Sequence, residues 1–166
     1  MVMMNGMIIL LEQNYFKMAK TIASGLFIVR KDKKLLIAHP TNHNPNFWSI
    51  PKGKVEDNET FLEGALRETY EETNLDLTET TCFDIHTLPS VNYSHKKKMI
   101  YPFLFLEKDK SDFNWDGVEL KCNSNVPKER GGFPEMDDYK WVTLDEAREL
   151  LHETQVACID LIEKIL

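Results

Sequence analysis

Four residues within six positions, Arg67, Glu68, Glu71 and Glu72, define the chemistry open to this sequence. Placed on a helix of 3.6 residues per turn, the three glutamates fall within an arc of roughly 100°. Their i, i+3, i+4 spacing brings the carboxylates together on one face. Gly64, one turn before Glu68, lies on the same sector and leaves room beside it. Clustered carboxylates repel one another, at about a few tenths of a kcal/mol per pair. A hard divalent cation relieves that repulsion, because Mg²⁺ prefers oxygen ligands and shares them with substrate phosphates. Arg67 can steady the cluster through charge-assisted pairs. Taken alone, the spacing equally describes an acidic helix face turned to solvent.

A longer frame separates the two readings. The stretch Gly53-x5-Glu59-x7-Arg67-Glu68-Thr69-Tyr70-Glu71-Glu72-Thr73-Asn74-Leu75 resembles the Nudix box, Gly-x5-Glu-x7-Arg-Glu-hydrophobic-x-Glu-Glu-x-Gly-hydrophobic. Gly53, Glu59, Arg67, Glu68, Glu71 and Glu72 all match, and chance would produce such a match with a probability on the order of 10⁻⁵. Two positions depart from the pattern. Thr69 replaces a hydrophobic residue, and it is small enough to bury its methyl. Asn74 replaces glycine, and asparagine is the non-glycine residue best suited to a left-handed helix end.

The resemblance implies a Nudix-type α/β/α sandwich with a mixed sheet, and hydrolysis of a diphosphate linked to another group, usually within a nucleotide. It further implies that Mg²⁺, or Mn²⁺ in its place, is held by Glu68, Glu71 and Glu72 with help from the Gly53 carbonyl. Glu59 and Arg67 would stabilise the loop and the carboxylates. A glutamate in the loop before a late strand serves some Nudix subfamilies as a further ligand or general base, and Glu135 matches it by motif; Glu107 and Glu119 are its weaker rivals. The lead-in Trp48-Ser49-Ile50-Pro51-Lys52-Gly53-Lys54 is similar to that of dinucleoside-polyphosphate hydrolases and mRNA-decapping Nudix enzymes. The segment from Phe133 through Trp141, with the helices that follow, is similar to bacterial NTP pyrophosphohydrolases of the same superfamily. The favoured substrates are therefore NTPs or dinucleoside polyphosphates. The alternatives are an RNA 5′ end and, in a different class, a catalytically silent nucleotide sensor, although no box carboxylate is lost here.

Substrate contacts are expected from Lys52 and Lys54 on phosphate, from the basic run His95-Lys96-Lys97-Lys98, and from aromatic Phe47, Tyr93 or Tyr101 on a base. Lys96, Lys98 and Tyr93 are the preferred members of that set. His39 and His43 stand just before the lead-in and are candidates to line the cleft.

Several elements must position these residues. Residues 21–30 read as a strand, Lys31-Asp32-Lys33-Lys34 as a turn and 35–38 as the returning strand. Phe47 to Ile50 reads as a short strand ending at Pro51, with Lys52-Gly53-Lys54 as loop. The helix expected after it has Asp57 or Asn58 as cap, Glu59 in its first turn and Asn74 at its end. Its apolar side is expected to carry Leu62, Leu66, Thr69, Tyr70 and Thr73. Strands are expected over 81–91, 98–107 and 139–142, and 110–132 reads as polar and irregular. Thr143 and Glu146 form a capping-box pattern opening a helix, and a last helix covers 155–166.

The whole chain is consistent with one such domain. It has 166 residues and a formal net charge of −7. That charge argues against gripping long nucleic acid, whose phosphates no overall positive field would attract. It is compatible with a small nucleotide drawn in by metal. Cys82, Cys122 and Cys158 are odd in number and widely spaced, which fits free thiols in a reducing, cytoplasmic setting better than zinc or disulfides. Met7 to Leu11 is too short for a membrane span. Residues 1–19 are expected to be a leader without fixed structure, and 20–166 the domain.

Overall fold

A computed structural model of the chain describes residues 21–93 and 97–166. The expected leader and Lys96 lie outside the described residues. Among these, seven strands form one mixed sheet: β1 (Thr21–Val29), β2 (Leu35–Pro40), β3 (Lys52–Lys54), β4 (Phe83–Thr87), β5 (Val91–Tyr93), β6 (Lys98–Glu107) and β7 (Met136–Val142). The helices are α1 (Phe61–Thr73), α2 (Leu144–Leu150) and α3 (Glu153–Ile165). None of them is long and apolar enough to cross a membrane.

β1 is the centre of the sheet. Every residue from Ile22 to Val29 is buried, as expected for a strand covered on both faces. It runs parallel to β6 in continuous register from Thr21↔Lys98 to Val29↔Leu106. Its other edge pairs antiparallel with β2 at Val29↔Leu35 and, farther along, with β3 at Ser24↔Gly53. Alternate residues face opposite ways. Leu26 and Ile28 join Leu36, Ala65, Leu75 and Phe105 in the core beneath α1. Phe27 and Val29 join Ile37, Leu104, Ile159 and Ile162 in the core beneath α2 and α3. The sheet thus lies between helices, giving the α/β/α sandwich.

Five local expectations are corrected. Trp48 and Ser49 make only isolated bridges, to Leu151 and Ala38, and the short strand is instead Lys52–Lys54. The reason is β1, whose free edge near Ser24 has backbone groups to satisfy and accepts β3 there. The helix cap is Thr60, not Asp57 or Asn58. Thr60 Oγ1 accepts the Glu63 N–H at 3.1 Å, and the Glu63 carboxylate accepts the Thr60 N–H at 2.7 Å. This reciprocal box satisfies two otherwise orphaned donors and starts α1 after Glu59, whose carboxylate engages Arg67 instead. Tyr70 is 47 % exposed rather than in the core, whereas Thr69 and Thr73 are fully buried. Their hydroxyls donate back to Ala65 O and Thr69 O, so neither is buried without a partner. The 81–91 segment is two strands, β4 and β5, and β7 begins three residues earlier than expected.

The helix ends behave as the sequence implies. Asn74 takes the left-handed conformation at φ 65°, with its N–H on Tyr70 O. Thr143 and Glu146 form the second capping box.

Candidate active site

Arg67 is the hub of the box. Its Nε and Nη2 donate to both oxygens of Glu59, at 3.0 and 2.6 Å. Nη1 donates to Glu68 at 2.9 Å and to Glu71 at 3.2 Å, and Nη2 also reaches Lys54 O at 2.9 Å. One guanidinium therefore ties three carboxylates and the β3 backbone together. Glu59 above all, then Glu68, holds Arg67 firmly in its charged form. Glu59 in turn accepts the Glu56 N–H, which fixes the loop ahead of α1. Gly53 is required by close approach: a Cβ there would fall inside the Glu68 carboxyl group. At Gly64, the room that the sequence suggested is filled by the Glu59 carboxylate and Ser24 Oγ.

Glu72 is the most buried of the acids, at 3 % exposure. One of its oxygens accepts the Lys52 N–H at 3.0 Å. Burial pushes its carboxyl up to about 8; the charge and N–H of Lys52 pull against this, and the negative charges of Glu68 and Glu135 add to it. Glu68 is also raised, by burial first, while Arg67 opposes and Glu71 and Glu135 reinforce. Glu135 thus faces the same acids although it lies 63 residues beyond Glu72 in the chain. Among the described residues no three carboxylate, thiol or imidazole groups are gathered tightly enough to form a closed metal cage. Glu68 is held on the Arg67 guanidinium and Glu72 on the Lys52 N–H. The donor set nevertheless fits Mg²⁺, which takes one or two carboxylates together with water and phosphate oxygens rather than a full protein cage.

Two cavities meet at this point. One, of about 580 Å³, is lined by Glu72, Glu135, Lys52, His43, Phe133 and Arg130 among others. The second, of about 360 Å³, includes Tyr93, Lys98, Asn92, His152 and Gln155. Phe47, Ser49 and Lys52 belong to both. Tyr93 stacks on His152 with centroids 5.0 Å apart. Gln155 is buried and donates to Ser49 Oγ and Tyr93 Oη while accepting the Ile50 N–H, so it fixes the wall between the cavities.

The candidate residues therefore separate. Glu72, Glu135, Lys52, Lys98 and Tyr93 line the cavities, whereas Glu68 and Gly53, packed against each other, line neither. Lys54 lines neither cavity and contributes its carbonyl to Arg67. His39 is buried with both ring nitrogens engaged, Nδ1 on the Asp137 carboxylate at 2.6 Å and Nε2 on Asn44 O at 3.0 Å. Both partners, a carboxylate and a carbonyl, are acceptors, an environment that favours the imidazolium. Burial works against that charge, but Asp137 and then the Asn44 carbonyl outweigh it and raise the pKa. Of the rivals to Glu135, Glu107 sits at the far end of β6, where it accepts from Lys31 N and Trp115 Nε1. Glu119 is an exposed carboxylate whose backbone carbonyl holds Asn74. Arg130 and Asn92 carried no signal in the sequence, and Phe133 only marked the start of the segment that contains Glu135. They occupy irregular segments or a short strand and carry no spacing signal.

The chain can be compared with known proteins. The NUDIX domain family matches residues 19–162. The RNA pyrophosphohydrolase of Pelagibacter ubique is 24 % identical over 129 residues, covering 76 % of this chain and 78 % of that protein. The 8-oxo-dGTP diphosphatase of Proteus vulgaris is 38 % identical over 64 residues, which is 38 % of this chain and 57 % of that protein. The C. elegans Ap4A hydrolase, solved as a binary complex, superposes with a TM-score of 0.60 at 23 % identity, covering 87 % of this chain and 96 % of that one. With Arg67, Glu68, Glu71 and Glu72 gathered on α1 and residues 19–162 matched, the chain belongs to the NUDIX family and is a Nudix hydrolase.

Proposed function

We propose that the chain hydrolyses a diphosphate linkage in a nucleoside polyphosphate or related nucleotide, with NTPs and dinucleoside polyphosphates as the favoured substrates. The observation that carries this reading is the placement of buried Glu72 and distant Glu135 on one cavity whose wall is Lys52. Glu68, Glu71, Glu72 and Glu135, with the Gly53 carbonyl, would hold Mg²⁺ or Mn²⁺. When bound, such a metal supplies neutralisation of phosphate charge and acidification of water. The protein's own groups do the rest. Arg67 keeps Glu59, Glu68 and Glu71 in one orientation. Lys52, on the wall common to both cavities, offers its ammonium to phosphate oxygens, while Lys54 acts through its carbonyl on Arg67. Glu135 accepts the proton of the attacking water at its carboxylate. Lys98 and Tyr93 take the far end of the substrate in the second cavity, with the Tyr93–His152 stack as a flat apolar surface for a heterocycle. His39 fixes the loop at Asn44 against Asp137, beside Glu135.

Similarity to the Pelagibacter RNA pyrophosphohydrolase favours a second reading, in which the polyphosphate is an RNA 5′ end. The net charge of −7 confines it to the end of the strand. A panel of NTPs, dinucleoside polyphosphates, nucleotide sugars and 5′-triphosphorylated RNA, assayed for phosphate and pyrophosphate release with and without Mg²⁺ or Mn²⁺, tests both. Turnover should require metal, and Glu72→Gln should lower it by orders of magnitude. A panel without metal-dependent release, together with nucleotide binding, would establish the silent sensor instead.

A further inference from the structure

The cavity that contains Glu72 and Glu135 also contains Arg130. Arg130 is exposed, and among the described residues its guanidinium has no hydrogen-bond or ion-pair partner. Its backbone is well held. The turn Lys128–Arg130 is closed by Arg130 N on Pro127 O at 2.8 Å and Gly132 N on Pro127 O at 3.2 Å. The arm over 122–136 is zipped by Val126 N on Phe133 O and Glu135 N on Ser124 O. At its base, Asn123 N–H donates to Glu71 O, and the Asn123 amide donates to Tyr70 O and Asn74 Oδ1. One arm, anchored on the C-terminal turn of α1, therefore presents a carboxylate (Glu135) and a guanidinium (Arg130) to the same space without pairing them.

Resting on the polyphosphate reading above, we propose that Arg130 is a specificity-determining residue that grips a phosphate of the substrate chain, and that it sets a preference for three or more phosphates over two. A guanidinium presents a planar fork that matches phosphate oxygens bidentately. On that reading Lys52, which lines both cavities, and the acidic cluster would hold a two-phosphate unit where the cavities join. Arg130 lines only the Glu72 cavity, so it is available to a phosphate beyond that unit.

Steady-state kinetics with ATP and with ADP-ribose in Mg²⁺ test this. Arg130→Ala should raise KM for ATP by about tenfold with little change in kcat, while ADP-ribose parameters stay within about threefold. Arg130→Lys, which keeps the charge and loses the fork, should fall between. Lys128→Ala removes the same charge from the same turn at a residue outside the cavity, and should leave both substrates unaffected. Equal losses on both substrates, a Lys128→Ala effect matching Arg130→Ala, or no effect of Arg130→Ala would each overturn the proposal. Calorimetry with inorganic tripolyphosphate and pyrophosphate in Mg²⁺ applies the same comparison without turnover. Tripolyphosphate affinity lost selectively in Arg130→Ala supports the clamp even if the hydrolytic reading fails. Absence of tripolyphosphate binding to the wild type, or equal binding to wild type and variant, refutes the clamp whatever the enzyme hydrolyses.

Discussion

Glu72→Gln should abolish turnover and, in metal-free protein, stabilise the fold. The magnitude follows from burial. In the unfolded chain the Glu72 carboxyl ionises near 4.5, and in the folded protein burial holds it at about 8. The folded state therefore keeps a proton that the unfolded state releases. A raised folded pKa gives a contribution fully present below pH 4.5 and progressively lost as pH rises to about 8. Each pH unit in that window corresponds to about 1.4 kcal/mol, so the wild type loses about 4 kcal/mol by pH 8 through this one group. Glutamine does not titrate. Its amide oxygen can still accept the Lys52 N–H, and its amino group can face Glu68 or Glu135. The Tm difference between variant and wild type in EDTA should be near zero at pH 4.5 and widen to roughly 8–16 °C at pH 8. Saturating Mg²⁺ should narrow or reverse the gap, because the cation stabilises only a site that retains its carboxylate. The assay is thermal unfolding by circular dichroism at several pH values, with and without metal. Parallel wild-type and variant curves across the whole range in EDTA would refute burial as the cause of the retained proton.

Gly53→Ala places a methyl inside the Glu68 carboxyl group, and should cost about 1–3 kcal/mol in chemical denaturation while sharply lowering turnover. Arg67→Ala leaves Glu59 and Glu68, both largely buried, without their shared cation, and should cost about 3 kcal/mol or more in metal-free protein. Added Mg²⁺ should recover part of that stability, read as a metal-dependent rise in Tm larger than in the wild type. Thr60→Ala removes the cap of α1 and should cost about 1 kcal/mol with little change in KM. His39→Gln removes an imidazolium whose folded pKa lies above 6.5, so the wild-type advantage should be full below pH 6.5 and fade as pH rises through that raised value. A stability gap of about 1–2 kcal/mol at pH 5.5 that persists unchanged at pH 9 would refute a charged His39 as its source.

Legibility differed by residue. The cap at Asn74 and the box at Thr143 and Glu146 were readable because each is a contact within a few positions. The cap at Thr60 was equally local, yet three capping residues stand in a row at Asp57, Asn58 and Thr60, and only the last has a glutamate three positions on. Tyr70 was misplaced because helical spacing assigns a direction and not a depth: α1 rests on β1 through Ala65, Thr69 and Thr73, leaving Tyr70 at the margin. The strand at Lys52–Lys54 was hidden because its partner, β1, lies about thirty residues away and provides the vacant edge.

The sequence by itself determined the acid set and its companion arginine, since the spacing of Arg67, Glu68, Glu71 and Glu72 within the Gly53–Leu75 frame is a matter of chain chemistry and helical pitch. Only the tertiary structure decided how deeply each acid is buried, and therefore that burial pushes the Glu72 carboxyl up while Glu71 stays partly exposed on Arg67. It likewise decided which distant groups share the cavity. Glu135 and Arg130 reach Glu72 through an arm anchored on the end of α1, and no periodicity along the chain encodes a contact made by loops that fold back onto a helix.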